Sequence, residues 1–191
     1  MKNLYILAGC NGAGKTTVAY HILPDLLKCK EFVNADEIAK GISPFQPEKS
    51  TYAAGKIMSK RINELMEQEK SFAIETTLSA ITYLQKIKIA QDKGYYVTLI
   101  YFWLQSIELA KMRVRLRVED GGHFIPDHVV ERRYNKGLNN FFHYFLPVCD
   151  NVMLFDNSNQ IPKLVMTKLK GKESEIFDTV LFNKIRDYVR E

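Results

Sequence analysis

Short unbroken apolar runs take turns with longer stretches whose apolar residues recur every three to four positions, and this exchange persists from the amino end almost to residue 160. The runs predict strands at about 3–9, 31–35, 71–75, 95–104 and 152–155, and the stretches between them predict helices at about 15–28, 47–69, 79–93, 106–118 and 127–146. Tyr95–Leu104 is the strongest strand signal, and its continuous apolar character implies burial on both faces, as in a sheet held between helix layers. In the helix at about 127–146, Val130, Tyr134, Leu138, Phe141 and Phe145 form one apolar stripe. Lys163–Leu169 and Ser174–Phe177 predict a hairpin around Gly171, with a last helix near 179–190.

Regular β-α alternation with right-handed crossovers gives an α/β fold: a doubly wound, mainly parallel five-stranded sheet with helices on both faces and ligands at the carboxyl ends of the strands. A chain of 191 residues suffices for one such domain, spanning 1–191, and no repeat or linker interrupts it. Hydrophobic content of 46% and charged content of 26% are those of a globular protein, and no apolar stretch approaches the roughly 20 residues that span a bilayer. The first residues lack a basic-apolar-small signal pattern, so a cytoplasmic protein is expected. Cys10, Cys29 and Cys149 are odd in number and lack C-x-x-C spacing, which suggests neither a disulfide scaffold nor a zinc site. A net charge of +5 fits the handling of polyphosphates as well as nucleic acid and decides nothing between them.

Where the first apolar run ends, Gly9-Cys10-Asn11-Gly12-Ala13-Gly14-Lys15-Thr16 carries the spacing G-x-x-x-x-G-K-T of a P-loop, with a strand before and a helix after. Its glycines let successive N–H groups point into one concavity that binds anionic phosphates, backed by the positive end of the helix. Gly9, Asn11, Gly12, Ala13, Gly14, Lys15, Thr16 and Thr17 are therefore the expected nucleotide-binding set. Lys15 is placed to reach the β- and γ-phosphates of ATP or GTP, and the Thr16 hydroxyl to hold Mg²⁺.

Asn34-Ala35-Asp36-Glu37 stands where the second strand runs out, on the sheet edge that carries the P-loop. Asp36 either accepts a hydroxyl proton during phosphoryl transfer or caps the segment that follows, and spacing alone weighs the two equally. Glu37 reads as a solvated or helix-start residue. Glu75 closes the third strand and is followed by Thr76 and Thr77. It is a candidate for ordering Mg²⁺, for holding substrate hydroxyls, or for simply facing water, because the usual residue in the metal role is Asp. Arg113 and Arg117 share one face of their helix while Arg115 points elsewhere, and Arg133 flanks the apolar stripe of the next helix more closely than Arg132. These arginines form either a phosphate clamp or a solvated basic face. The segment at about 118–127 contains Gly121 and Gly122 and could close as a lid, shaped in part by His123. Trp103 and its aromatic neighbours read as core.

Together these residues resemble the zeta-toxin-like family of P-loop kinases, from Leu4 to about Asn159. Four motifs carry the likeness: Gly9–Thr16, Asn34-Ala35-Asp36, Phe72-Ala73-Ile74-Glu75-Thr76-Thr77-Leu78-Ser79, and Arg113-Val114 through Arg117-Val118, Gly121-Gly122-His123 and Ile125-Pro126 to Arg133-Tyr134. Phe155-Asp156-Asn157-Ser158 resembles the family's segment beside the nucleotide base. The resemblance implies a P-loop NTPase fold with an adenylate-kinase-like arginine lid and ATP- and Mg²⁺-dependent phosphorylation of a hydroxyl. It implies Asp36 as base, with Arg117 and Arg133 assisting the transferred group and Asn157 near the nucleotide. Founding members phosphorylate UDP-N-acetylglucosamine and are restrained by an antitoxin. This chain is shorter than they are, and Lys136 stands where relatives often show arginine. Two other readings remain: a polynucleotide 5′-hydroxyl kinase, which calls for a basic groove with exposed stacking aromatics, and a nucleotide-dependent switch, which has no need of Asp36. Neither nucleic acid nor membrane is the expected partner.

Overall fold

The structure, a computed structural model, describes residues 1–119, 121–122 and 124–189, so the expected part of His123 in the lid lies outside the described residues. The strands are β1 (Lys2–Ala8), β2 (Phe32–Val33), β3 (Phe72–Thr76), β4 (Tyr95–Trp103), β5 (Asn151–Asp156), β6 (Lys163–Leu169) and β7 (Glu175–Ile176). The helices are α1 (Lys15–Ile22), α2 (Ala35–Ile42), α3 (Thr51–Glu67), α4 (Tyr83–Asp92), α5 (Ile107–Glu119), α6 (Asp127–Asn140), α7 (Leu146–Val148) and α8 (Thr179–Asp187). One sheet of order β2-β3-β1-β4-β5-β6-β7 joins all the strands, parallel through β5 and antiparallel beyond it.

The five parallel strands are those expected, but the sheet has seven. The hairpin around Gly171 does not stand apart: β6 pairs with the free edge of β5, which satisfies backbone groups that a five-stranded sheet would leave at its rim. A second departure is α2, an eight-residue helix not among those expected, started by Asn34. Helix α1 stops at Ile22 because Pro24 cannot continue it, and the chain turns through Lys28 at a φ of 50°. The long helix expected at about 47–69 begins as a 3₁₀ turn over Pro47–Ser50 before α3, and the one at about 127–146 passes from α6 into a π turn over Phe141–Phe145 and then α7. Residues 79–82, expected in a helix, precede α4.

Central strand β4 is buried along nearly its whole length, Trp103 included, which requires cover on both faces and accounts for its unbroken apolar sequence. Ile6, Phe72, Val152 and Leu154 continue that core into β1, β3 and β5. Register then decides where the chemistry lies. Leu7 pairs with Glu75 and Ala8 with Thr76, so the end of β3 stands beside the start of the P-loop. Helix α6 seats against the same edge: a Cβ on Gly137 would come within 2.3 Å of the Thr77 carbonyl oxygen, and Asn140 Nδ2 donates to the Leu78 carbonyl at 2.7 Å. Only glycine permits that approach.

Candidate active site

Lys15 opens α1 with its side chain folded back over the P-loop. Its Nζ donates to the Cys10 carbonyl at 2.9 Å and lies 3.5 Å from Glu75 Oε1, with both side chains largely removed from solvent. Glu75 is the hub of the site, since its Oε2 also accepts from Thr16 Oγ1 at 2.7 Å and from Asn34 Nδ2 at 2.8 Å. Of the three sequence readings, a carboxylate facing water is thus excluded by its partners. A hydroxyl and a carboxylate in contact are hard oxygen donors of the kind Mg²⁺ accepts alongside phosphate and water, so Thr16 and Glu75 fit that ion. Burial pushes the Cys10 thiol up to about 11, against the opposing pull of Lys15 and Arg113, which leaves it a protonated core residue.

Asn34, buried at the end of β2, received no role from sequence. Its Oδ1 accepts from the Asp36 and Glu37 amides at 2.8 and 3.4 Å and caps α2, while its Nδ2 holds Glu75. The capping alternative for Asp36 is therefore taken by Asn34. The signal that could have revealed it is the Asn itself, a favoured N-cap just after a strand. Asn34→Ala removes the cap at a cost of about 1 kcal/mol, and the melting temperature of the purified protein is expected to fall by about 2–4 °C.

No hydrogen bond to the Asp36 carboxylate is found among the described residues. Arg133 lies close enough for that carboxylate to favour its charge, although burial lowers the guanidinium pKa and Arg132 adds to the lowering. Arg133 Nη1 donates to Asn11 Oδ1 at 3.1 Å, which ties α6 to the P-loop. Arg115 turns outward to an ion pair with Asp127. Arg113 and Arg117 do share a face, but the Arg113 fork is engaged by main chain, donating to the Asn157 and Ser158 carbonyls at 2.8 and 2.7 Å. Thr76 Oγ1 accepts from the Leu78 amide and the Thr77 hydroxyl bonds that of Ser79, which fixes a turn in which buried Leu78 takes a φ of 53°.

Two cavities meet here. One, of about 470 Å³, runs along Gly12, Gly14, Thr16 and Thr17 to Arg113 and Arg117. The other, of about 160 Å³, is bounded by Asn34, Thr51, Thr76, Thr77, Tyr83 and Arg133. Asn11, Lys15, Asp36 and Glu75 line both, where the two adjoin. Gly9, Ala13 and Asn157, expected at the nucleotide, line neither cavity, and Asn157 packs behind the loop. Sequence reasoning also passed over Thr51 and Tyr83, which reach the smaller cavity from helix starts remote in the chain and leave no local signal.

A family model described as Zeta toxin matches residues 1–161. An uncharacterized protein of Haemophilus influenzae is 32% identical over 126 residues, covering 66% of this chain and 88% of that protein. Among solved structures, a chain of the AvrRxo1-ORF1:AvrRxo1-ORF2 complex with sulphate ions superposes with a TM-score of 0.80 at 19% identity. That superposition covers 97% of this chain and 63% of the other, so the present chain spans less than two thirds of that relative. The same complex with ATP gives 0.78. The PezAT toxin-antitoxin system of Streptococcus pneumoniae gives a TM-score of 0.66 at 15% identity, covering 99% of this chain and 86% of that one.

Proposed function

The chain belongs to the zeta toxin family and is a P-loop kinase, and from that premise we propose that it moves the γ-phosphoryl group of ATP, or GTP, to a hydroxyl of a small molecule, with a sugar nucleotide such as UDP-N-acetylglucosamine as acceptor. One observation carries this reading: Asn11, Lys15, Asp36 and Glu75 line both cavities. The larger cavity, with P-loop amides and two arginines, suits a nucleoside triphosphate. The smaller, with Asn34, Thr51, Thr76, Thr77 and Tyr83, offers neutral donors and acceptors that suit a hydroxyl-rich group. Only the reacting end of a sugar nucleotide fits within about 160 Å³, with the rest of the molecule outside.

In this reading Asp36 accepts the proton of the attacking hydroxyl as its oxygen bonds the γ-phosphorus, and the bond from that phosphorus to the bridging oxygen breaks to release the diphosphate. Lys15, Arg117 and Arg133 offset the negative charge that gathers on the phosphoryl oxygens. Thr16 and Glu75 fit a Mg²⁺ that, when bound, neutralises phosphate charge. An antitoxin protein is the proposed partner, in keeping with the complexes that PezAT and AvrRxo1-ORF1 form. No helix among the described residues is long and apolar enough to cross a membrane.

Incubation with radiolabelled ATP and Mg²⁺ beside UDP-N-acetylglucosamine, or beside RNA with a free 5′-hydroxyl, tests the assignment. Label is expected on the sugar nucleotide, confirmed by a one-phosphate mass gain. Label on RNA alone would hand the site to a polynucleotide acceptor. ATP bound without transfer to any hydroxyl would leave a switch.

A further inference from the structure

Asn157 leaves the last parallel strand and reaches across to the P-loop, where its Nδ2 donates to the Ala13 carbonyl at 2.7 Å in a buried contact. Its own main chain is held from both sides: its amide donates to the Trp103 carbonyl at 2.9 Å, and its carbonyl accepts from Arg113. The second arm of Arg113 holds the Ser158 carbonyl, and the Gln105 amide donates to Ser158 Oγ at 2.8 Å. The side-chain Nδ2 of Asn157 also sits 2.6 Å from where a Cβ on Gly14 would stand, and Gly14 has a φ of 78°. The loop is thus fitted against this side chain.

Peptide planarity gives that fit a consequence. In the trans unit between Ala13 and Gly14, the carbonyl and the N–H point in opposite directions. Asn157 draws the Ala13 carbonyl toward the rear of the loop, where neither residue lines a cavity, so the Gly14 N–H faces forward into the space that Gly14 does line. We propose that Asn157 is a positioning residue for the phosphoryl donor: through the Ala13 carbonyl it aims the Gly14 amide at the bound phosphates, and Arg113 sets Asn157 by gripping its main chain. The inference rests on the kinase reading for its role in turnover, but its geometry bears on phosphate binding alone. It moves Asn157 from the base to the phosphates, and makes Arg113 a support of the loop.

The test uses the full chain with tripolyphosphate and ATP as separate probes, titrated calorimetrically into wild type, Asn157→Ala and Asn157→Asp. The second variant keeps the shape but turns an acceptor toward the Ala13 carbonyl. Both variants are expected to bind tripolyphosphate and ATP about tenfold more weakly, by the same factor for each probe, as befits a misdirected hydrogen bond to a charged group. The KM for ATP should rise by that factor with kcat changed far less, and the Gly14 amide resonance of the free protein should shift. Unchanged tripolyphosphate affinity in the two variants, or a loss confined to ATP, would overturn the proposal and return Asn157 to the base. A wild type that grips tripolyphosphate yet transfers no phosphoryl group would sink the kinase reading and leave the clasp standing; one that does not bind tripolyphosphate overturns both.

Discussion

Asp36→Asn is expected to lower phosphoryl transfer by about two to four orders of magnitude while ATP affinity changes by less than about threefold. The substitution keeps the shape of the side chain and removes its ability to take a proton. Two features make the effect separable from damage to the fold. Asn34 rather than Asp36 caps α2, through bonds to the backbone amides that the substitution does not touch. The Asp36 carboxylate, for its part, makes no hydrogen bond among the described residues. Steady-state turnover with a confirmed acceptor, set beside calorimetric ATP binding and a melting curve, checks all three terms. Persistent turnover in the variant would remove Asp36 from the role of base, and a parallel loss of ATP binding would show that its charge organises the donor site.

Arg133→Ala is the second large effect, with kcat expected to fall about a thousandfold, within the range for arginines that neutralise a transferring phosphoryl group. Arg133 projects from a helix held closely in place: Gly137 lies against the Thr77 carbonyl, Asn140 holds that of Leu78, and Tyr134 Oη donates to the Leu104 carbonyl at 2.6 Å. Truncation therefore leaves the helix where it is and empties one wall of the acceptor cavity. Arg133→Lys should recover part of the rate, since it restores charge but not the planar fork that can meet two phosphoryl oxygens at once. The check is kcat for the two variants under saturating ATP. Equal activity of Arg133→Ala and wild type would pass the role to Arg117, which lines the donor cavity.

Much of this site could be read in the sequence because phosphate binding by a P-loop is a local property. Gly9 through Thr16 needs little beyond a strand before it and a helix after it, and both are where the apolar pattern puts them. Asp36 and Glu75 were legible as candidates for a related reason: each sits where an apolar run ends, and strand ends gather at one edge of a parallel sheet. Only the alternatives attached to Glu75 were not local. Whether Asp36 capped a helix depended on what its neighbour Asn34 did, and whether Glu75 faced water depended on Thr16, Lys15 and Asn34, which come from two other strand ends.

The linear chain by itself determined the alternation of strands and helices, the parallel core of the sheet and the loop that receives phosphates, since each follows from residues within one or two turns of one another. Only the tertiary structure decided that the hairpin extends the sheet to seven strands, that Arg113 grips main chain, and that Asn157 lies behind the loop. The last two outcomes turn on contacts between residues dozens of positions apart, 44 in the case of Arg113 and Asn157 and 144 in that of Asn157 and Ala13. Periodicity carries no trace of such contacts, because it records which way a side chain faces but not what it meets there.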